Sequence, residues 1–166
     1  MPGTSKDIKN PGLNVLPPGV ERHVVNGGGL TAFQLFPDDE VEIINDEGNQ
    51  ICEIICFNKD GKSEVGILNL KENSDKNFIR DILNGKDETI LATNYQLKKR
   101  NLNITQSKSS IVFDKDTTPG EKIKLKSKDK CYAIFSAPSE DMLVTNQNPP
   151  SELTIFIKRA KIINDK

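Results

Sequence analysis

Short segments in which apolar and polar residues alternate are the feature that most limits the fold of this chain. In segment 40–44, Val41 and Ile43 would lie on one face of a strand, with two glutamates on the other. Glycine, proline, asparagine and aspartate separate such segments, as they do between the strands of β-rich proteins. We predict strands at 20–26, 30–36, 40–44, 50–57, 64–70, 109–114, 121–127, 130–136 and 152–159.

One interval in the middle of the chain has helical periodicity instead. Apolar side chains recur at helical spacing from Phe78 to Leu83, which predicts a helix over 75–84, and a second helix is predicted over 87–99. Strands on both sides of two short helices predict a mainly β fold, an antiparallel β-barrel or sandwich with one or two short inserted helices.

Segment 50–57 is apolar on both faces except at Gln50 and Glu53, which predicts a central strand covered on both sides. The turn residues at 45–49 predict a hairpin with strand 40–44, and the glycines at 27–29 predict a tight reversal after the first strand. The predicted core consists of Val41, Ile43, Ile51, Ile55, Phe57, Phe78, Ile82, Ile134, Ile155 and Ile157.

The domain organisation follows from length and from the position of the prolines. A chain of 166 residues is typical of one domain, and four prolines within residues 1–19 predict an extended N-terminal arm. We therefore expect an arm at 1–19, a single β-rich domain at 20–160, and a C-terminal tail or linker at 161–166.

Charge and hydropathy exclude several classes of partner. The net charge of −1 gives no electrostatic basis for binding nucleic acid, which depends mostly on cations that neutralise phosphates. The longest apolar runs are far shorter than the roughly 20 residues of a membrane-spanning helix. The first residues contain no apolar region typical of a secretory signal. We expect a cytoplasmic protein with neither nucleic-acid nor membrane partners.

Cysteine and histidine are too few and too dispersed for the common metal sites. One histidine and three cysteines, without C-x-x-C or H-x-x-x-H spacing, predict no metal, and the sequence motifs for nucleotide binding and for serine hydrolases are missing. We expect no cofactor. Cys52, Cys56 and Cys131 are interpreted as small buried hydrophobic residues rather than as a disulfide framework.

Four polar residues are candidates for ligand binding: Gln50, Glu53, His23 and Arg22. A buried Glu53 needs a cation such as Arg22 or Arg100, backbone hydrogen bonds, or a polar cavity, so structural and ligand-binding roles both stay open. His23 could exchange protons near neutral pH, but the favoured interpretation is a partly exposed strand residue. Catalytic residues stay unassigned, and whether the chain is an enzyme is left open.

The candidate residues lie in a stretch that resembles a known family. The opening 16–19 (Leu-Pro-Pro-Gly), the turn and strand at 37–44, and the stretch Asp46-Glu47-Gly48-Asn49-Gln50 with Glu53 resemble the urea carboxylase-associated family, which shows a P-x-G opening and a [DE]-G-x-Q-x-x-[DE] signature. Residues 11–23 and the glycine run are also similar to the N-terminal domain of some bacterial aminomethyltransferase-type proteins, which resemble the glycine-cleavage T-protein.

The resemblance implies a β-barrel-like domain with a pocket near Gln50 and Glu53. Catalytic members of the family degrade urea-like or guanidine-derived compounds and have a His and Cys cluster after the signature. Here no histidine follows residue 53 and Cys131 stands alone, so the fold carries over without the chemistry.

Three functions remain at this stage. The first is an accessory or small-molecule-binding domain of amine, one-carbon or urea-related nitrogen metabolism, not catalytic on its own, with a small amine or urea-like ligand and an aminomethyltransferase-type catalytic domain as partners. The alternative is a small amidohydrolase or deiminase-like enzyme, or a subunit of one, that acts on a urea-like or guanidinium compound. The third is an oligomeric scaffold, and a homo-oligomer is left open throughout.

Overall fold

The described residues form eight strands, which are arranged in two antiparallel sheets. The structure is a computed structural model that describes residues 16–74, 77–114, 116–139 and 149–161. The strands in this part of the chain are β1 (Val20–Val25), β2 (Leu30–Leu35), β3 (Glu40–Asn45), β4 (Cys52–Asn58), β5 (Ser110–Val112), β6 (Glu121–Lys126), β7 (Cys131–Ser136) and β8 (Leu153–Lys158). Their order is β1-β8-β3-β6 in one sheet and β2-β7-β4-β5 in the other. The predicted mainly β class is confirmed, as a sandwich.

The two sheets pack face to face through the apolar side of each alternating strand. Val41 and Ile43 of β3 are fully buried between the sheets, together with Ile155 and Ile157 of β8. Glu40 and Glu42 lie on the opposite face of β3, as the alternation predicted. The first sheet therefore has one apolar face and one face toward solvent, and we call it the open sheet.

Two helices cover the outer face of the second sheet, which we call the covered sheet. These helices are α1 (Phe78–Ile82) and α2 (Glu88–Lys99), and α2 begins where the Asp87 carboxylate accepts a hydrogen bond from the Ile90 amide. A second apolar cluster lies between helices and sheet, formed by Leu30, Ile55, Phe57, Ile79, Leu83, Ile90, Leu97, Tyr132 and Ile134. Strand β4 is thus buried on both faces and paired with β7 and β5, so its predicted central position is confirmed.

The predicted hairpin of β3 with β4 is wrong, whereas the tight turn predicted at the glycines 27–29 is formed, with a hydrogen bond from the Gly29 amide to the Asn26 carbonyl oxygen, but does not pair β1 with β2. β3 and β4 lie in different sheets, and so do β1 and β2, so each connection crosses from one sheet to the other. The cause lies in the burial pattern: β3 has one polar face and fits the open sheet, whereas β4 needs cover on both sides. Gly48 has φ +75° and a Cβ there would collide with the Thr117 carbonyl oxygen, so this crossing packs tightly against a neighbouring loop.

The predicted strand at 64–70 is also wrong, because that segment contains a 3₁₀ helix, Val65–Leu68. Three of its four residues, Val65, Ile67 and Leu68, are buried, and Asn69 ends it with a left-handed φ of 62°. The other predicted strands and the second helix are confirmed to within two residues at each end.

The first helix is shorter than predicted and presents a different face to the core. It spans Phe78–Ile82, while residues 75 and 76 lie outside the described part of the chain. Ile79 and Leu83, four residues apart, are the buried pair, and Phe78 and Ile82, which were predicted in the core, are half-buried. The remaining predicted core residues are buried.

Replacement of Ile55 by alanine tests the central position of β4. Because Ile55 is fully buried between the sheet and the helices, Ile55→Ala should lower the free energy of unfolding by about 2–5 kcal/mol, measured by urea denaturation. Leu91→Ala is the matched control, since Leu91 is 54% exposed on α2, and its effect should stay within about 0.5 kcal/mol. Equal effects of the two substitutions would contradict this arrangement.

Candidate functional site

Gln50, the first candidate residue, holds loops together in the structure. It lies just before β4, is 4% exposed, and donates from Nε2 to the carbonyls of Ile51 and Pro138, both at 2.9 Å. Its Oε1 accepts a hydrogen bond from the Ser151 amide, also at 2.9 Å. All of these partners are backbone groups of the protein, so the contacts give Gln50 a structural role, and ligand binding by this residue stays a prediction.

Glu53 binds the start of helix α1. Its carboxylate accepts hydrogen bonds from the backbone amides of Ile79 at 2.8 Å and Phe78 at 3.1 Å, and from the Ser109 hydroxyl at 3.2 Å. Two amides that no carbonyl of the helix can reach are thereby satisfied. Burial raises the pKa of Glu53 above its ordinary 4.5, against the lowering effect of these hydrogen bonds. Of the alternatives left open, the structure supports backbone hydrogen bonding, with neither Arg22 nor Arg100 as partner.

The Glu53→Gln variant should lose stability in a pH-dependent manner. An amide has one acceptor oxygen and a donor group, so at least one of the three donors loses its partner, at a cost of about 1–3 kcal/mol. Because the folded-state pKa of Glu53 is raised, its ionisation weakens the wild type as pH rises from about 4.5 through the folded pKa. The stability difference between wild type and variant should therefore be largest near the low end of this window and shrink above it.

Urea denaturation at several pH values measures this difference. Glu47→Gln is the control, since Glu47 is exposed in the neighbouring turn, and it should follow the wild type at each pH. A Glu53→Gln variant that also follows the wild type would show that its carboxylate does not anchor α1.

Glu21 and Arg159 connect His23 to a buried aspartate. The Arg159 guanidinium donates to the two carboxylate oxygens of Glu21 at 2.8 and 3.2 Å, and to Asp39 and the Gln34 carbonyl, both at 2.8 Å. His23 Nε2 lies 3.1 Å from Glu21 Oε1, and its ring lies 4.3 Å from that of Phe33. We call Glu21, His23, Asp39 and Arg159 the arginine cluster.

The cluster is organised around Asp39, which is 2% exposed. Its carboxylate also accepts hydrogen bonds from the backbone amides of Phe36 and Ala160, each at 2.9 Å. The hydrogen bond from Arg159 lowers the pKa of Glu21 below its ordinary value, with partial burial opposing it. The cluster thus joins β1, the turn before β3 and the residues after β8, and His23 is partly exposed within it as favoured from the sequence.

Loss of the guanidinium should destabilise the fold strongly. Arg159→Met leaves Asp39 buried without its cation, and we expect the free energy of unfolding to fall by about 3 kcal/mol. Arg159→Lys should lose less stability than Arg159→Met but should stay less stable than the wild type, because an ammonium cannot form the forked contacts to both carboxylates. Chemical denaturation with Arg80→Met as an exposed control checks this, and equal losses at positions 80 and 159 would contradict it.

Arg22, the fourth candidate, points away from the other three. It is exposed on the outer face of the open sheet, opposite Phe156 in the pairing of β1 with β8. His23 lies on the inner side of the same strand, and Gln50 and Glu53 bind different backbone segments. The structure therefore does not bring the four predicted residues together around one ligand.

A cleft of about 890 Å³ lies near Arg22, at one end of the open sheet. Its walls are contributed by β1, β3, β6, β8 and the segments on either side: Val20, Glu40, Val41, Glu42, Leu68, Asn69, Lys124, Leu125, Lys126, Lys128, Phe156 and Lys158. The floor is mostly apolar and the rim carries four lysines and two glutamates. This volume is in the range of small-molecule sites, which makes the cleft the candidate binding site.

Neither the cleft nor the arginine cluster was predicted from the sequence. Arg159 and Asp39 lie 120 positions apart, so no local pattern could pair them. Alternation did place the two glutamates of β3 on the face opposite Val41 and Ile43, and in the structure the lysines of β6 occupy one face of their strand. That these faces become neighbours follows only from the strand order.

The cysteines are buried, as predicted. Burial raises the pKa of the Cys52 thiol well above its usual range, and a hydrogen bond to Cys131 together with burial does the same for Cys56. The thiols of Cys52 and Cys56 are therefore poorly suited to act as nucleophiles, whereas the hydrogen bond with Cys56 lowers the pKa of Cys131. Within the described ranges no group of three or more His, Cys, Asp or Glu side chains could hold a metal ion, and no helix there could cross a membrane. The absence of a bound metal stays a prediction.

The chain is similar to a curated bacterial enzyme along almost its whole length. No family model matches the chain. It is 30% identical over 162 residues to a trimethylamine-oxide aldolase of Ruegeria pomeroyi, and the match covers 96% of this chain and 20% of the relative. A DUF1989 family protein of Silicibacter pomeroyi, with a crystal structure, aligns at 9% identity and a TM-score of 0.48, over 89% of this chain and 82% of the other. The chain therefore spans about a fifth of the length of the curated relative it matches.

Proposed function

We propose that this chain is an accessory, small-molecule-binding domain of bacterial amine metabolism that is not catalytic on its own. The observation that carries the proposal is the 30% identity, along almost the whole chain, to one fifth of a trimethylamine-oxide aldolase. A match that covers almost all of this chain but only a fifth of the relative suits a domain that recurs inside a larger enzyme, and we assign the reaction to other parts of that enzyme.

The contacts of the candidate residues support a binding rather than a catalytic role. Glu53 and Gln50 are hydrogen-bonded to backbone groups, and Glu21 and Asp39 are bound by Arg159. In the described part of the chain, the ionisable side chains of the cleft are lysines and glutamates on its rim. No general base oriented by a third group, as nucleophilic catalysis requires, is formed by these residues.

The proposal includes a catalytic partner. Four fifths of the relative lie outside the match, which leaves room for a catalytic region such as the aminomethyltransferase-type domain that the sequence resemblance implies. An association with urea carboxylase or other urea-related nitrogen metabolism is the narrower form of the same proposal. The binding of a small amine or urea-like compound at Glu53 would require that residue to exchange its backbone partners for the ligand.

A chimera tests the proposal against the relative. The chain replaces the matching fifth of the Ruegeria pomeroyi enzyme, and formaldehyde is measured after addition of trimethylamine oxide, since a methyl group can leave only as that aldehyde in an aldolase cleavage. We expect activity in the chimera, none in an enzyme that lacks the matching fifth, and none in this chain alone.

The isolated chain is also tested as an enzyme. Formaldehyde release from trimethylamine oxide by the chain alone, or ammonia release from urea or guanidine, would overturn the accessory role and favour the small hydrolase. A folded chimera without activity would show that the chain cannot replace the matching region. Circular dichroism of each protein establishes that it is folded.

A further inference from the structure

We infer that the cleft of the open sheet binds an organic anion with an apolar body, a carboxylate or phosphate attached to a hydrocarbon or aromatic group. This inference deepens the proposed function and rests on it in one respect, namely that the domain acts by binding. It is carried by the shape of the cleft and by the distribution of paired and unpaired charges around it.

The floor of the cleft is suited to an apolar group. Val20 and Phe156 contribute from the outer face of the open sheet, while Leu68 and Leu125 contribute from the side of the 3₁₀ helix and the edge strand β6. The helices that cover the other sheet do not reach this face, because α1 and α2 pack on β2, β4 and β7. An apolar body of ligand size would remove this surface from water.

The acidic side chains at the rim have cationic neighbours within the protein. Glu42 lies 3.5 Å from Lys122 and 3.9 Å from Lys124, and Asp38 lies 4.0 Å from Lys126. Glu40 forms no ion pair among the described residues, but it lies opposite Lys158 on one side and Lys126 on the other in the strand register. A cationic ligand would therefore meet lysines beside each of these carboxylates.

Two lysines of the rim are not engaged in an ion pair, although one of them, Lys158, lies opposite Glu40 in the strand register. Among the described residues, Lys128 and Lys158 form no ion pair, and both line the cleft. With four lysines and two glutamates, the lining has a charge of +2 by formal count. Arg22, opposite Phe156 on the neighbouring strand and also without an ion pair, adds to this potential. The combination of an apolar floor and unpaired cations selects an amphipathic anion.

Two fluorescent probes that differ in one group test this inference. 8-Anilinonaphthalene-1-sulfonate has an apolar body with one negative charge, and N-phenyl-1-naphthylamine has the same body without the sulfonate. We expect the sulfonate probe to bind more tightly than the neutral probe. Added salt should weaken the binding of the sulfonate probe and leave that of the neutral probe unchanged.

Substitutions locate the site. Lys128→Gln and Lys158→Gln should each lower the affinity for the sulfonate probe by roughly two- to five-fold, the range expected for an exposed ion pair. The affinity for the neutral probe should not change. Phe156→Ala should weaken both probes. The double variant Lys98→Gln, Lys99→Gln on α2 removes two positive charges, one more than either single variant, from the other side of the molecule and should bind both probes as the wild type does.

Thermal unfolding of each variant confirms that it is folded, and the two exposed lysine substitutions keep the test valid even if Phe156→Ala does not fold. Equal binding of the two probes, or lysine variants at 128 and 158 that match the wild type, would overturn the inference. That result is distinct from failure of the accessory role, which is read from formaldehyde or ammonia release by the isolated chain.

Discussion

Burial of β4 on both faces is the constraint on which the rest of this structure depends. One face of the strand packs into the sandwich through Cys52, Ile54 and Cys56, and the other packs against the helices through Ile55 and Phe57. A strand with two apolar faces needs a layer on each side. The helices between β4 and β5 supply the second layer, and Glu53, the charged residue on that face, binds the amides at the start of α1.

The two sheets differ in their outer faces for the same reason. Strands β3 and β6 of the open sheet carry charged residues at alternate positions, so that part of the outer face stays in water without a third layer. Opposite charges on β3 and β6 face each other in register, as Glu42 and Lys124 do. The cleft lies at the end of the open sheet where β3 begins and β8 ends. The proposed binding surface is thus formed by the sheet that the fold does not cover.

Local sequence patterns predicted the elements well and their connections poorly. Alternation and helical spacing located most strands and both helices, and the two apolar faces of β4 predicted its central position. The turn at 45–49 could not reveal that β3 and β4 lie in different sheets, because turn residues are compatible with a hairpin and with a crossing. Glu53 was identified as unusual, but only the structure shows that its partners are backbone amides 25 and 26 positions away. The contact between Arg159 and Asp39 depends on tertiary geometry alone, and neither the spacing of the two residues nor their sequence neighbours indicate this contact.

The pairing of β1 with β8 has a mechanical consequence. Val20 lies directly opposite Lys158, so the first and last strands of the sandwich enter and leave it side by side. A force that separates the chain before Val20 from the chain after Lys158 would act on one rung of this ladder at a time, as in opening a zipper. The first contacts to bear that load are the hydrogen bond from the Arg159 amide to Gly19 and the contacts of its guanidinium with Glu21 and Asp39. These contacts set the force at which the domain would begin to open within a longer chain.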